Sequence, residues 1–212
     1  ARMNIKQKLT WAFAIIACLP VVLVATLVVL NLRSDAKANF VDGSGREIRQ
    51  VSNAMQLFFD GISQNVDYLA RQPLIKNSDD SLKTYMSANA ESIPQGEMDK
   101  KVFSLLQDLG NSHPSYAYAI LGTAAGGYVS WPDDAKLNNY DPRQRPWYKA
   151  AQAKPGKPFR TEAYYWAQDD ATYVSTVRTI DNQLGTNGGV VSIDVTLKQL
   201  TEIVKQIKLG ET

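Results

Sequence analysis

The chain has 212 residues, 44% of them hydrophobic, and a formal net charge of +2, enough for one medium domain plus an additional segment. So even a charge balance gives no footprint for nucleic acid. One cysteine, Cys18, rules out a disulfide framework and a cysteine-based zinc cluster, and one histidine, His113, in the turn-like NSHPS, argues against a His-rich metal site or a Ser-His-Asp triad.

Residues 9–32, LTWAFAIIACLPVVLVATLVVLNL, carry no charge. The run is long enough, at about 1.5 Å per residue, to cross a hydrocarbon core. Arg2, Lys6 and Lys8 precede it, whereas Arg33 and Lys37 behind it are diluted by Asp35. This bias predicts a cytoplasmic N-terminus at 1–8, a transmembrane helix at 9–32 and the remainder outside. A cleaved signal peptide, with Ala36-Lys37-Ala38 as an A-x-A-like site, is the alternative, although its apolar region is usually shorter.

Beyond the span, Phe40, Ile48, Val51, Met55, Phe58, Ile62, Val66 and Leu69 recur mostly at helical spacing. They predict a long helix from about Ser34 to Arg71, on the order of 57 Å, stopped at Gln72-Pro73. Its apolar stripe needs a partner, either a globular domain or a second copy in a homodimer. Residues 74–113 read as short helices broken by polar turns. Strand patterns follow at 116–121 and 128–131 around Gly126-Gly127, then at 159–166, 172–180 and 188–195, with Asn187-Gly188 as a hairpin signal. Thr196-x-x-Gln199 forms a capping box for a last helix to about Ile207. Sequential strands after a long helix predict an α+β fold on an antiparallel sheet of about five strands. No internal repeat is present.

The run YDPRQRPWYKAA, 140–151, concentrates arginine, proline and aromatic residues. Pro146 suits the first position of a helix. The N–H groups of that helix, Arg145 and the Trp147 indole can together cradle a carboxylate. Trp147 and Tyr148 can equally be core, with the arginines paired to Asp133, Asp134 or Asp141. In 189–196, GVVSIDVT, Val190, Ser192 and Asp194 share one strand face and Val191, Ile193 and Val195 the other. A covered Asp194 needs a cation, such as a ligand ammonium. In 161–170, Tyr164 and Trp166 share a face suited to cationic guests. Asp169 and Asp170 read as a solvated hairpin tip.

An apolar anchor, a long helix, Y-D-P-R-x-R-P-W-Y, T-x-x-Y and G-V-V-x-x-D-V-x-L together resemble the double Cache extracytoplasmic sensors of bacterial methyl-accepting chemotaxis receptors. The resemblance implies an N-terminal transmembrane helix continuing into a signalling helix over 33–72, packed on a PAS-like Cache module over 73–212. It also implies a location in the bacterial inner membrane with the sensor on the periplasmic side. The closing K-L-G-E-T would lead into a membrane-proximal module, so the chain reads as a receptor truncated after the distal one. In the amino-acid-sensing branch, positions matching Arg145 and Trp147 hold the ligand carboxylate, and those matching Tyr140, Tyr164 and Asp194 hold its ammonium, with Tyr148 lining the same pocket. Trp166 stands where that branch often has an acid. This departure favours a ligand recognised mainly as a cation, a polyamine or biogenic amine, with an L-amino acid as the alternative. A diamine would require Arg145 to pair with a protein acid such as Asp141.

The expected function is thus a chemotaxis transducer's ligand-binding domain for a small amine-bearing metabolite. It would have no cofactor, no metal and no nucleic-acid partner. A sensor of a histidine kinase or nucleotide cyclase would look the same. An enzyme is disfavoured, since no phosphate loop, metal cluster or activated nucleophile is visible, and a purely structural anchor would leave the aromatic residues as core.

Overall fold

The structure, a computed structural model, describes residues 4–78, 81–133, 137–181 and 187–209, without the side chains of 8–12, 14–19, 21, 38, 91, 187, 208 and 209. The chain divides into two compact units, Ala1–Ser52 and Asn53–Thr212. Helix α1, Ile5–Arg71, passes through the boundary.

In the first unit α1 exposes most of its large described apolar side chains, Phe40 and Ile48 among them. Among the described residues no helix is long and apolar enough to cross a membrane. Of the membrane span expected at 9–32, the side chains of 9–12, 14–19 and 21 lie outside the description.

The second unit is built on an antiparallel sheet. Its strands are β1 (Tyr118–Thr123), β2 (Tyr128–Trp131), β3 (Phe159–Arg160), β4 (Tyr164–Trp166), β5 (Ala171–Asp181) and β6 (Asn187–Thr196). The order is β2-β1-β6-β5-β3, and β4 also pairs with β5. The sheet has six strands because the single strand expected at 159–166 is two short ones. The backbone between them leaves the ladder, and Thr161 instead bonds Ser175 through both its N–H and its hydroxyl. The connection 182–186, with most of the expected β5–β6 turn, lies outside the described residues.

Helix α1 ends as its sequence requires. Gln72 is extended (ψ 132°), and Pro73 opens the short α2, Pro73–Lys76. Ile62, Val66 and Leu69 of α1 are buried against one sheet face, together with Val102 and Leu106 of α3 (Glu97–Ser112) and Val191, Ile193 and Val195 of β6. The predicted stripe is therefore covered only in its C-terminal half. Arg178 of β5 makes an ion pair with Asp67 of α1, which also holds Arg71 at 2.6 Å. The segment 74–113 is less broken than expected: α3 alone takes 16 residues. Its buried Asp99 accepts the backbone N–H groups of Gly96 at 2.9 Å and Lys83 at 3.0 Å, which offsets the cost of burying a carboxylate.

The opposite sheet face carries Ile120, Val177 and Val190 under an aromatic cluster containing Tyr128, Tyr140, Trp147 and Tyr148. Helix α4, Pro146–Ala153, lies there. Because β6 is central and covered on both faces, its alternation sends three aliphatic residues into one core and Asp194 into the other. The chain ends in α5, Leu197–Leu209. Thr196 Oγ1 accepts from Gln199 N at 3.1 Å and Gln199 Oε1 from Thr196 N at 2.8 Å, the predicted capping box.

Trp131 lies flat on Gly110 of α3, where an added Cβ would come within 2.0 Å of the indole. Alanine is the better helix former, yet overpacking costs about 1–3 kcal/mol. Gly110→Ala is accordingly expected to lower stability in urea denaturation by about that amount.

Candidate functional site: an aromatic cavity between Arg145 and Asp194

The chain turns twice between Tyr140 and α4. Pro142–Gln144 form a 3-10 turn capped by Asp141, and Pro146 then starts α4. The Asp141 carboxylate accepts from the backbone N, Nε and Nη2 of Arg143, each at 2.9 Å. These bonds hold its pKa below the usual carboxylate value. Asp141 is thereby committed to Arg143, and the pairing with Arg145 required for a diamine ligand is not made.

Arg145 is extended (φ −82°, ψ 150°) at the N-cap of α4. Its guanidinium lies over the Tyr140 ring at 4.2 Å and the Trp166 ring at 5.0 Å. Its Nε is buried with no hydrogen-bond partner. No carboxylate pairs with Arg145 among the described residues; Asp134, one of the acids considered for it, lies outside them.

Across the cavity, Asp194 of β6 is 3% exposed. Ser192 Oγ donates to it at 2.5 Å and Tyr164 OH at 3.3 Å, and Tyr164 OH also bonds Ser175 Oγ at 2.8 Å. Burial raises the Asp194 pKa to about 6, and the hydroxyls of Ser175, Ser192 and Tyr164 limit that rise. Burial, and then the field of Asp194, push the Tyr164 phenol well above its ordinary range, so it stays a neutral donor.

Tyr140 stands between the two charges. Burial raises its pKa to about 12, opposed by hydrogen bonds from Trp147 and Tyr128 and by the charge of Arg145, while Asp194 adds to the rise. Trp147, a predicted ligand donor, is thus one of the groups that oppose the rise at Tyr140.

The cavity between these groups measures about 200 Å³. Of the residues expected to bind ligand, Tyr140, Arg145, Trp147, Tyr164, Trp166 and Asp194 all line it. Tyr148 is absent from the lining. It is buried beside Trp147, with ring centroids 5.6 Å apart, and packs near Gly122.

Sequence reasoning missed Tyr118, Tyr128 and Tyr173, which complete the aromatic wall. It also missed Asp169. This residue is exposed in the β4–β5 turn, but its Oδ2 accepts Tyr118 OH at 2.9 Å and Tyr173 OH at 2.6 Å. Burial and the bond to Asp169 raise the Tyr173 pKa well above its usual value. Strand alternation could have placed Tyr118 and Tyr173 on the face of Asp194, because their register partners are Asp194 and Thr196. No local pattern joins Asp169 to Tyr118, 51 residues away.

A cavity with a buried carboxylate on one wall, a guanidinium on another and aromatic rings between them can hold a small dipolar molecule. It has the partners for both a cation and an anion.

Residues 103–202 match the family model of the methyl-accepting chemotaxis protein-like first PDC sensor domain. The methyl-accepting chemotaxis protein McpB of Bacillus subtilis is 41% identical over 90 residues, 42% of this chain and 13% of that protein. McpA of Pseudomonas putida is 32% identical over 162 residues, 68% of this chain and 25% of that protein. The chain thus spans a quarter or less of the length of these two relatives. The ligand-binding domain of the Pseudomonas aeruginosa amino-acid chemoreceptor PctC, solved with GABA, superimposes with a TM-score of 0.56 at 26% identity, over 74% of this chain and 63% of that one. The corresponding PctB domain, solved with L-Arg, gives a TM-score of 0.59 at 24% identity over 78% and 61%. In its sequence over residues 103–202, and in its fold over about three quarters of its length, the chain is similar to the PDC sensor domains of methyl-accepting chemotaxis receptors.

Proposed function

We propose that the chain is the extracytoplasmic sensor part of a chemotaxis receptor and that its cavity binds a small amino acid as a zwitterion. The ligand ammonium lies at Asp194 and Tyr164, and its carboxylate at Arg145. The observation that carries this reading is the state of Arg145: a guanidinium on the cavity wall, packed against two rings, with Asp141, its candidate acid, held by Arg143. A polyamine would bring more positive charge into the cavity without supplying the anion that Arg145 lacks, Asp141 being held by Arg143. An amino acid brings the missing anion. The similarity to a domain solved with GABA, a molecule with both charged groups, supports the same choice.

Residues 9–32 serve in this proposal as the membrane anchor, and the exposed apolar face of α1 as the contact with a second copy. Binding transmits a signal only if the two conformations of the domain differ in affinity for the ligand.

Calorimetric titration of the chain with L-amino acids and with their decarboxylated amines tests the assignment. Amino acids should bind and the amines should bind much more weakly. Removing one partner of a buried charge pair costs about 2–5 kcal/mol, so Arg145→Ala and Asp194→Ala should each weaken amino-acid binding by roughly 30-fold or more. Tighter binding of the amine than of its parent amino acid would contradict the reading.

The pH dependence follows from Asp194. The ligand ammonium needs the ionised carboxylate, whose pKa in the free protein is about 6. Affinity should therefore be level above that pH and fall about tenfold per unit below it, read by titration between about pH 5 and pH 8. Without ligand the effect on stability has its own sign. The folded-state pKa is raised above the ordinary 3.8, so the stabilising contribution of protonated Asp194 is complete below 3.8 and is lost as pH rises through about 6. Affinity independent of pH over this range would contradict the ammonium–Asp194 contact.

A further inference from the structure

One end of the cavity carries polarity that the two charged groups of an amino-acid backbone do not use. Tyr118 and Tyr173 come from the strands on either side of β6, and their ring centroids are 5.8 Å apart. Both hydroxyls donate to the same oxygen, Oδ2 of Asp169. A phenol that has given its one hydrogen can only accept from a further partner. That end of the cavity therefore offers phenolic acceptors backed by a carboxylate, and no cation pairs with Asp169 among the described ion pairs.

Arg145 and Asp194 are matched by a zwitterion, and a third charged group on the ligand would meet Asp169, exposed behind Tyr118 and Tyr173. Position completes the argument. Tyr118 is the register partner of Asp194, whereas Tyr173 pairs with Thr196, two residues further on and on the same face. Two strand residues span about 7 Å, a distance suited to the four-carbon stem of an amino side chain. The rings of Tyr173 and Trp166 line the cavity, and aromatic faces favour a passing cation.

We propose that Tyr118, Tyr173 and Asp169 form a side-chain subsite that selects basic amino acids, those with a second amino or guanidinium group, over neutral ones of the same shape. The inference rests on the amino-acid reading above and names the ligand class within it.

The test is calorimetric titration of the full chain with L-lysine and with L-norleucine, which has the same stem without the amine. Lysine should bind at least about tenfold more tightly, the equivalent of one charge-assisted contact. Asp169→Asn should abolish that preference while leaving norleucine affinity within about threefold. Tyr118→Phe, which keeps the ring and removes a hydroxyl, should reduce the preference in the same way. Norleucine binding as tightly as lysine would overturn the subsite and leave the amino-acid reading standing. An equal loss of both ligands in Asp169→Asn would make Asp169 a structural brace and would also overturn it. If neither ligand bound to chain shown by circular dichroism to be folded, both the subsite and the amino-acid reading would fall.

Discussion

A carboxylate on the central strand of a sheet, with a second layer covering it, imposes demands on everything around it. Asp194 is 3% exposed and has no protein cation among the described ion pairs. Its charge is supported by hydroxyls alone: Ser192 on its own strand, Ser175 on the next, and Tyr164 from a strand beyond. Hydroxyl donors lower the cost of a buried anion without cancelling it. The pKa near 6 records the imbalance. Such a group is poised to gain a cation, and β1, β4 and β5 are placed so that the space above it is enclosed by aromatic rings.

Arg145 is the counterpart at the other side of the space. Pro142 and Pro146 restrict the backbone on either side of it, and the Asp141–Arg143 pair takes up its candidate acid. A guanidinium held by stacking, with donors left over, awaits a planar anion. The two unmet needs, set across one small cavity, are the physical content of the proposed zwitterion site. The opposite sheet face does different work. There α1 and α3 bury aliphatic side chains, and the Asp67–Arg178 pair ties α1 to β5. The long helix is thereby joined to the same sheet that carries Asp194.

Features set by local chemistry were legible in the sequence. Gln72-Pro73 marks the end of α1 and Pro146 the start of α4, Thr196 and Gln199 make a capping box, and alternation in 189–196 puts Asp194 opposite the aliphatic core. Six of the seven residues expected to bind ligand line the cavity. What was illegible depends on distant partners. Tyr148 adjoins Trp147 in sequence, but successive residues on α4 point in different directions, and it falls behind the wall. Arg143, not Arg145, holds Asp141 because the 3-10 turn brings its backbone and side chain back onto the cap. Asp169 looked like a solvated turn residue, and it is exposed, but its bonds come from two different strands. The preference for an amine over an amino acid followed from Trp166 taken alone. Beside Arg145, that ring is a stacking surface for the guanidinium, so it no longer argues for a ligand that is only a cation.

The most direct measurement is a crystal structure of the chain with a bound L-amino acid. The account predicts the ligand carboxylate at hydrogen-bond distance from the Arg145 guanidinium and its α-nitrogen at Asp194 and Tyr164. A ligand bound outside this cavity, or held in it with its carboxylate turned away from Arg145, would contradict the account.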